Sequence, residues 1–130
     1  HPDSATFSVM LSSCSHSGLL GEGQILFDAM RTYFDTIPTL EHYNCMVDLF
    51  GRAGCFGNAL TIINEMPIST NSTIWHTLLG ACRTWGNVRV AKLAFEQATL
   101  LDEADVVAYI SMSNIYAAFK EGSCEQRVLF

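Results

Sequence analysis

The chain has 130 residues, enough for one domain or for part of a larger protein. Thirteen acidic residues against seven basic ones give a formal net charge of -6, which argues against a protein that binds nucleic acid through its phosphates alone. Apolar residues make up 49% of the sequence and the mean hydropathy is +0.23, so we expect some apolar surface to face neighbours.

Cysteine usage and hydrophobicity bear on the compartment. The cysteines show no Cys-x-x-Cys spacing and are Cys14, Cys45, Cys55, Cys82 and Cys124. Their odd number and helical context predict free thiols in a reducing compartment. No run of eighteen apolar residues occurs, so the sequence predicts no membrane span. No signal or transit peptide is visible, and a targeting segment of the full protein would lie outside this sequence, which starts within a repeat at His1.

The first predicted hairpin has a helix from about Ala5 to Ser17, a turn at Gly18 and a second helix from about Gly21 to Tyr33. Glycine provides the permissive backbone on which a helix can end in a tight turn. Pro38 then prevents the second helix from continuing.

The second predicted hairpin has the clearest helical periodicity. Its first helix runs from about Thr39 to Ala53 and is followed by a turn at Gly54 and a second helix from about Phe56 to Glu65, which Pro67 closes. The apolar side chains of the first helix recur at i, i+3, i+4 and i+7, which places them on one helix face: Tyr43, Met46, Val47 and Phe50.

The third hairpin begins with a helix capped by Asn71 or Ser72 and turns at Gly86-Asn87, after which its second helix runs to about Leu101. A fourth unit starts near Val106 and its helix is predicted to reach about Lys120. The tail after that lysine does not supply a full second helix, so we expect this end to fray or to need a partner.

The units repeat a common pattern. Each opens with an aromatic residue at spacings of 36, 32 and 34 residues, namely Phe7, Tyr43, Trp75 and Tyr109. Sixteen residues later stands a small residue that allows close helix packing, at Gly23, Ala59 and Ala91. Such periods predict stacked helical hairpins. The predicted fold is therefore all-α, a right-handed α-solenoid of antiparallel helical hairpins.

Catalytic and metal sites are not supported by the residue pattern. His42 and Cys45 lie three residues apart, but a zinc site needs four converging ligands, which would require several hairpins to point the same way. A Cys–His nucleophile formed by the same pair lacks an orienting acid. We therefore expect no enzyme activity, no metal, no cofactor and no small-molecule substrate.

Several short strings point to a family. They are Leu-Ser-Ser-Cys-Ser-His-Ser-Gly at 11–18, Glu-His-Tyr at 41–43, Gly-Arg-Ala-Gly at 51–54, Leu-Leu-Gly-Ala-Cys-Arg at 78–83 and Ser-Asn-Ile-Tyr-Ala-Ala at 113–118. In this order and spacing the chain resembles plant pentatricopeptide repeat proteins, in particular the C-terminal end of the subclass with long and short repeats and an E-type extension. The resemblance divides the chain into the end of a preceding repeat (1–3), two repeats (4–39 and 40–71), an E-type extension repeat (72–105) and an incomplete final repeat (106–130).

The resemblance implies a function in RNA binding and editing in an organelle, the mitochondrion or the chloroplast. Proteins of this kind bind single-stranded RNA with one base per repeat, and most specify cytidine-to-uridine editing sites. The extension implies docking of a deaminase domain or of editing cofactor proteins. The His-x-Glu and Cys-x-x-Cys zinc motifs of that deaminase do not occur here. The alternative is a protein-interaction solenoid in which this segment makes no RNA contact.

The resemblance also assigns base-reading positions: the fifth residue of each first helix and the last residue of each repeat. These are Ser8 with Thr39 and Asn44 with Asn71, with weaker contacts at His76, Asp105 and Asp3. Two asparagines resemble the family's pyrimidine-reading combination, with cytidine preferred over uridine. Read without the family, Asn44 is a polar residue on a solvated helix face and Asn71 is a helix N-cap.

Two arginines near the ends of first helices have two interpretations. Arg52 and Arg83 could reach a phosphate from the edge of the groove, or they could interact with the negative end of the helix dipole. The acidic surroundings favour the helix-terminal interaction.

Overall fold

A computed structural model describes the backbone of residues 2–129 and the side chains of residues 2–119. Within these residues all regular secondary structure is helical, which confirms the predicted all-α class. The helices are α1 (Ser4–Ser17), α2 (Leu20–Thr32), α3 (Leu40–Arg52), α4 (Phe56–Glu65), α5 (Ser72–Trp85), α6 (Val88–Leu101) and α7 (Val106–Leu129). The predicted bounds of the first four helices agree with these within one residue, as do the predicted start of α5 and the predicted end of α6.

The helices form two compact units, the first ending at Thr70 and the second starting at Asn71. In the first unit, α1 packs against α2 and α3, while α3 also packs against α2 and α4. In the second unit, α5 packs against α6 and α7, and α6 packs against α7. The helix that opens each unit, α1 or α5, therefore contacts both its hairpin partner and the first helix of the next hairpin in that unit.

The predicted glycine turns are confirmed. Gly18, Gly54 and Gly86 adopt left-handed backbone with φ of 71°, 77° and 71°. The residue after each glycine donates its amide to the carbonyl five positions earlier, at 2.9, 2.8 and 3.0 Å respectively. This bond is the signature of a Schellman C-cap, and it satisfies a carbonyl that the end of the helix would otherwise leave unpaired.

The small residue in each second helix has a packing role. Gly23, Ala59 and Ala91 are all buried. A Cβ atom added to Gly23 would lie 2.3 Å from Leu49 Cδ2 on α3, whereas the Cβ of Cys14 on α1 would be 3.5 Å away. The closest approach that this glycine permits is therefore to the next hairpin rather than to its own partner helix.

The aromatic residue that opens each repeat is part of the core in three of the four repeats. Phe7, Tyr43 and Trp75 are exposed by only 1%, 5% and 6%. Tyr109 differs, since 49% of its surface is exposed. Burial of large apolar side chains is the main favourable contribution to folding. The opening aromatic of α7 therefore contributes less of this burial than its equivalents in α1, α3 and α5.

The predicted end of the last helix near Lys120 is wrong, because α7 continues to Leu129. Lys120 occupies the position that Gly18, Gly54 and Gly86 occupy in the other units. Without a glycine to adopt left-handed backbone there is no C-cap at this point, and lysine is a good helix former. The chain therefore continues as one helix at the position where the other three repeats turn.

Candidate nucleic-acid interface

The residue that ends each predicted repeat is a helix N-cap or lies at the N-cap position. Each one immediately precedes the first helix of the next hairpin, and those whose dihedrals are defined have extended backbone. N-cap residues use a side-chain oxygen to satisfy an amide that the first turn leaves unpaired. The four residues are Asp3, Thr39, Asn71 and Asp105.

Two of these caps are simple. Asp3 Oδ1 accepts from the Thr6 amide at 2.9 Å and from the Thr6 hydroxyl at 2.8 Å, and these bonds lower the pKa of Asp3. Asn71 Oδ1 accepts from the Ile74 amide at 3.2 Å. The capping role proposed for Asn71 from the sequence is thus present, and it uses only the oxygen of an amide that also carries a donor.

The fifth residues of the first helices are Ser8, Asn44 and His76, each one position after a buried aromatic. Packing of that aromatic fixes the rotation of the helix and with it the direction of the following side chain. Ser8 is 8% exposed, and its hydroxyl donates to the Ser4 carbonyl at 3.2 Å. Asn44 and His76 are half-buried.

In the second unit, the fifth residue of α5 and the last residue of the same repeat contact each other directly. His76 Nε2 lies 2.6 Å from Asp105 Oδ2, with the two side chains 27% and 5% exposed. Asp105 Oδ1 accepts from the Ala108 amide at 3.1 Å, as an N-cap does. Burial would raise the pKa of Asp105, but the hydrogen bonds from His76 and Ala108 together hold it below its ordinary value. Both oxygens of this carboxylate are therefore engaged within the protein.

In the first unit, the corresponding positions are joined through His42, a residue that the sequence analysis did not assign to this site. Its Nδ1 accepts from the Thr39 amide at 3.0 Å, and its Nε2 donates to the Ser4 carbonyl at 2.9 Å. The Ser8 hydroxyl donates to that same carbonyl. The ring is fully buried. The Thr-x-x-His spacing matches a capping box with histidine in place of glutamate, which is the signal that could have identified it.

Arg52 takes part in a local ion pair. Its Nε donates to Asp48 Oδ2 at 3.0 Å, and the buried Ser15 hydroxyl donates to the same oxygen. Arg52 lies in the last turn of α3 and Arg83 lies in the last turn of α5, which suits the helix-terminal interaction. The contact between Ser15 and Asp48 links α1 to α3 and was not predicted.

The described cysteines are free thiols, as predicted. Burial raises the pKa of Cys45 to about 11 and that of Cys82 to about 12. Within the described residues, no group of three or more histidine, cysteine or acidic side chains could hold a metal ion. No helix in that part of the chain is long and apolar enough to cross a membrane.

Comparisons with known proteins agree on one family. The family model for the PPR repeat matches residues 5–33 and 41–69. The pentatricopeptide repeat-containing protein At4g33990 of Arabidopsis thaliana is 44% identical over 117 residues, which cover 90% of this chain and 14% of that protein. A putative mitochondrial relative from the same plant, At3g11460, is 43% identical over 130 residues and is covered to 21%. The chain thus spans about a fifth or less of these relatives.

A solved structure shows the same fold. The pentatricopeptide repeat protein PPR10, crystallised in complex with an 18-nt psaJ RNA element, matches 98% of this chain with a TM-score of 0.79 and 24% identity. This chain covers 20% of that structure. The match confirms the helical-repeat solenoid that the spacing predicted. With the matched repeats and the plant relatives, it establishes that the chain belongs to the pentatricopeptide repeat family.

Proposed function

We propose that this chain binds single-stranded RNA as the C-terminal part of a longer repeat array, in a mitochondrial or chloroplast factor that specifies cytidine-to-uridine editing and helps to dock a deaminase. RNA binding is supported by the family and by the RNA in the PPR10 complex. An organellar location is supported by relatives whose names include "mitochondrial". We propose that the repeats divide the chain at 1–3, 4–39, 40–71, 72–105 and 106–130.

The observation that carries the RNA-reading proposal is the register of α3. Tyr43, only 5% exposed, fixes the helix against the core, and the next residue, Asn44, presents an amide at the half-buried fifth position. An amide carries both a donor and an acceptor, which is what recognition of a base edge requires. We propose that Asn44 and Asn71 read a pyrimidine, preferring cytidine over uridine, and that Ser8 and Thr39 form a weaker reading pair.

The charge of the segment supports a role in base selection rather than in overall affinity. The formal net charge is -6, and Arg52, one of the two arginines considered for phosphate contact, is paired with Asp48. Phosphate contacts supply most of the salt-dependent affinity of nucleic-acid binders. Under this proposal, other repeats of the array supply that affinity.

The second unit supports the docking part of the proposal. His76 and Asp105 hydrogen-bond to each other, so we propose that they, like Asp3, contribute only weakly to RNA binding. The fifth residue of α7 is Ile110, which is 57% exposed and has no polar group with which to read a base. Val106 and Val107 beside it are 65% and 51% exposed. An exposed apolar surface of this kind suits a protein partner, such as a deaminase or an editing cofactor. It also favours the second candidate function, a protein-interaction solenoid without RNA contact here.

A matched pair of amide substitutions tests RNA reading. Asn44→Asp removes the donor at the proposed reading position, while Asn58→Asp makes the same charge change at an exposed site on α4. Binding of the full repeat array is measured against RNAs that differ only at the matching nucleotide. We expect Asn44→Asp to change the preference among bases by about 1 to 3 kcal/mol and Asn58→Asp to leave it unchanged. Equal base preferences in both variants would refute reading by Asn44 and favour the protein-interaction solenoid.

Deletion of residues 72–130 from the full array tests docking. We expect RNA binding to be largely retained and the editing yield to fall, because the surface that recruits the deaminase is lost. Editing at full yield in the deleted protein would remove the recruitment role without affecting the RNA-reading proposal.

A further inference from the structure

An open groove lies between α6 and α7 in the second unit. It encloses about 390 Å³ and is lined by Lys92, Phe95 and Glu96 from α6 and by Tyr109, Met112 and Tyr116 from α7. Its floor is aromatic, since the Phe95 and Tyr109 rings pack edge to face at 5.1 Å with an interplanar angle of 82°. The groove therefore presents a structured apolar surface rather than scattered exposed side chains.

The same arrangement occurs in the first unit, between α2 and α3. Phe27 and Tyr43 pack edge to face at 5.4 Å and 67°, and Met46 follows three residues after the tyrosine as Met112 follows Tyr109. This first groove has a further wall, because Ile62 and Glu65 of α4 also line it.

Exposure of equivalent residues shows the effect of α4. Tyr43 is 5% exposed, whereas Tyr109 is 49% exposed. Phe50 is 5% exposed, whereas its equivalent Tyr116 is 39% exposed. These residues occupy the same positions on α3 and α7, and the described residues of the second unit include no helix equivalent to α4.

The side chains that differ between the two grooves suit a partner that binds reversibly. Buried Val47 of the first unit is replaced by exposed Ser113, and Phe50 is replaced by Tyr116. Tyrosine offers a large contact area while tolerating water, which is why it is enriched at interfaces between proteins. The side chains of the groove therefore tolerate contact with water when no partner is bound.

At one position the second groove carries a positive charge where the first groove, whose own cation is Arg31, has a neutral amide. Lys92 stands where the first groove has Gln24, and its Nζ lies 5.9 Å from the centre of the Tyr116 ring. The first groove is lined both by Gln24 of α2 and by Glu65 of α4. A helix that docked in the second groove as α4 does would therefore place an acidic residue at the equivalent of Glu65 near Lys92, where opposite charges are complementary.

We propose that the groove between α6 and α7 binds an amphipathic helix of a partner protein, which packs there as α4 packs on α3. The helix carries a small residue at the closest approach and an aliphatic residue four positions later, as Ala59 and Ile63 do in α4, together with an acidic residue facing Lys92. This inference rests on the docking role proposed above and specifies the surface and the chemistry of the partner helix.

The test uses a fluorescently labelled helical peptide with the sequence of residues 55–66, in which Cys55 is replaced by serine. We expect saturable binding to the 130-residue chain, measured by fluorescence anisotropy. Tyr109→Asp should weaken it at least about tenfold, because the tyrosine lies at the centre of the proposed contact. Tyr33→Asp, at a site that is 85% exposed in the first unit, should leave binding unchanged. Circular dichroism of each variant verifies the fold, and Tyr116→Asp replaces Tyr109→Asp if the latter unfolds.

A charge swap tests the orientation of the peptide. Lys92→Glu in the chain should weaken binding, and a peptide with lysine at the position of Glu65 should restore it. Absence of saturable binding, or binding that Tyr109→Asp and Tyr116→Asp leave unchanged, would overturn the proposal. These measurements contain no RNA, so their failure leaves base reading by Asn44 untouched. Loss of recruitment in the deletion experiment together with failure here would assign docking to another surface of the second unit.

Discussion

Gly23→Ala isolates the energetic role of the closest helix approach in the first unit. The added Cβ would lie 2.3 Å from Leu49 Cδ2, although ordinary contacts of this kind are 3.4–4 Å, so the Leu49 side chain must shift by about 1 Å or more or the two helices must separate. Leu49 is only 1% exposed and is closely packed, so it has little room to change rotamer.

Two opposing contributions set the size of the effect. Replacing a glycine within a helix by alanine stabilises the helix by up to about 1 kcal/mol. Overpacking a closely packed core costs about 1 to 3 kcal/mol, and the severity of this overlap places the cost near the upper end. We therefore expect Gly23→Ala to lower the free energy of unfolding by about 1 to 2 kcal/mol.

Urea denaturation followed by circular dichroism provides the measurement. Gly21→Ala on the same helix is the control, because its Cβ would meet nothing within 4 Å, and it should be neutral or stabilising. In a Leu49→Ala background, which is itself destabilised by about 2 to 5 kcal/mol, Gly23→Ala should no longer be harmful because the new methyl enters the cavity. If Gly23→Ala stabilises the protein as much as Gly21→Ala does, the reasoning about close approach is wrong.

Three further predictions follow from individual side chains. The pKa of Asp105 lies below its ordinary value of 3.8, so its carboxylate stabilises the fold above about pH 4 and this contribution fades as the pH falls further. The unfolding free energies of the wild type and Asp105→Asn should therefore differ at pH 6 and converge in acid. The thiol of Cys82, with a pKa raised to about 12, should resist iodoacetamide at pH 8 until the protein is unfolded, as mass spectrometry can show. His42→Ala should cost about 2 to 4 kcal/mol in urea denaturation, because it removes two hydrogen bonds and leaves a cavity, whereas alanine at exposed His16 should cost far less.

Local rules account for the part of the fold that the sequence predicted. The turns at Gly18, Gly54 and Gly86 followed from backbone freedom alone, and the buried face of α3 followed from helical periodicity. The continuation of α7 was missed because the prediction relied on the length of the other units. Lys120 stands where the other first helices have the glycine that ends them, so this local stop signal is missing from α7.

The interactions between helices were harder to predict. The resemblance assigned His76 and Asp105 as the two reading positions of one repeat, but it did not predict their hydrogen bond, which joins residues 29 positions apart on elements that the packing brings together. The contact between Ser15 and Asp48 is of the same kind, at a separation of 33 residues. Neither pair has a sequence spacing that a local rule describes, because both depend on how one first helix packs against the next.

The N-caps at the repeat boundaries have a consequence for how specificity can change. Under the proposed function, the residue that ends each repeat both starts a helix and takes part in reading a base. Only residues with a short side chain that accepts a hydrogen bond do the first task well, and Asp3, Thr39, Asn71 and Asp105 are all of this type. Folding therefore restricts the residue types that can occupy this position. Substitution by any other type would destabilise the helix, whatever its effect on RNA recognition. New specificities should thus evolve mainly through the fifth residue of the first helix, where no cap is required.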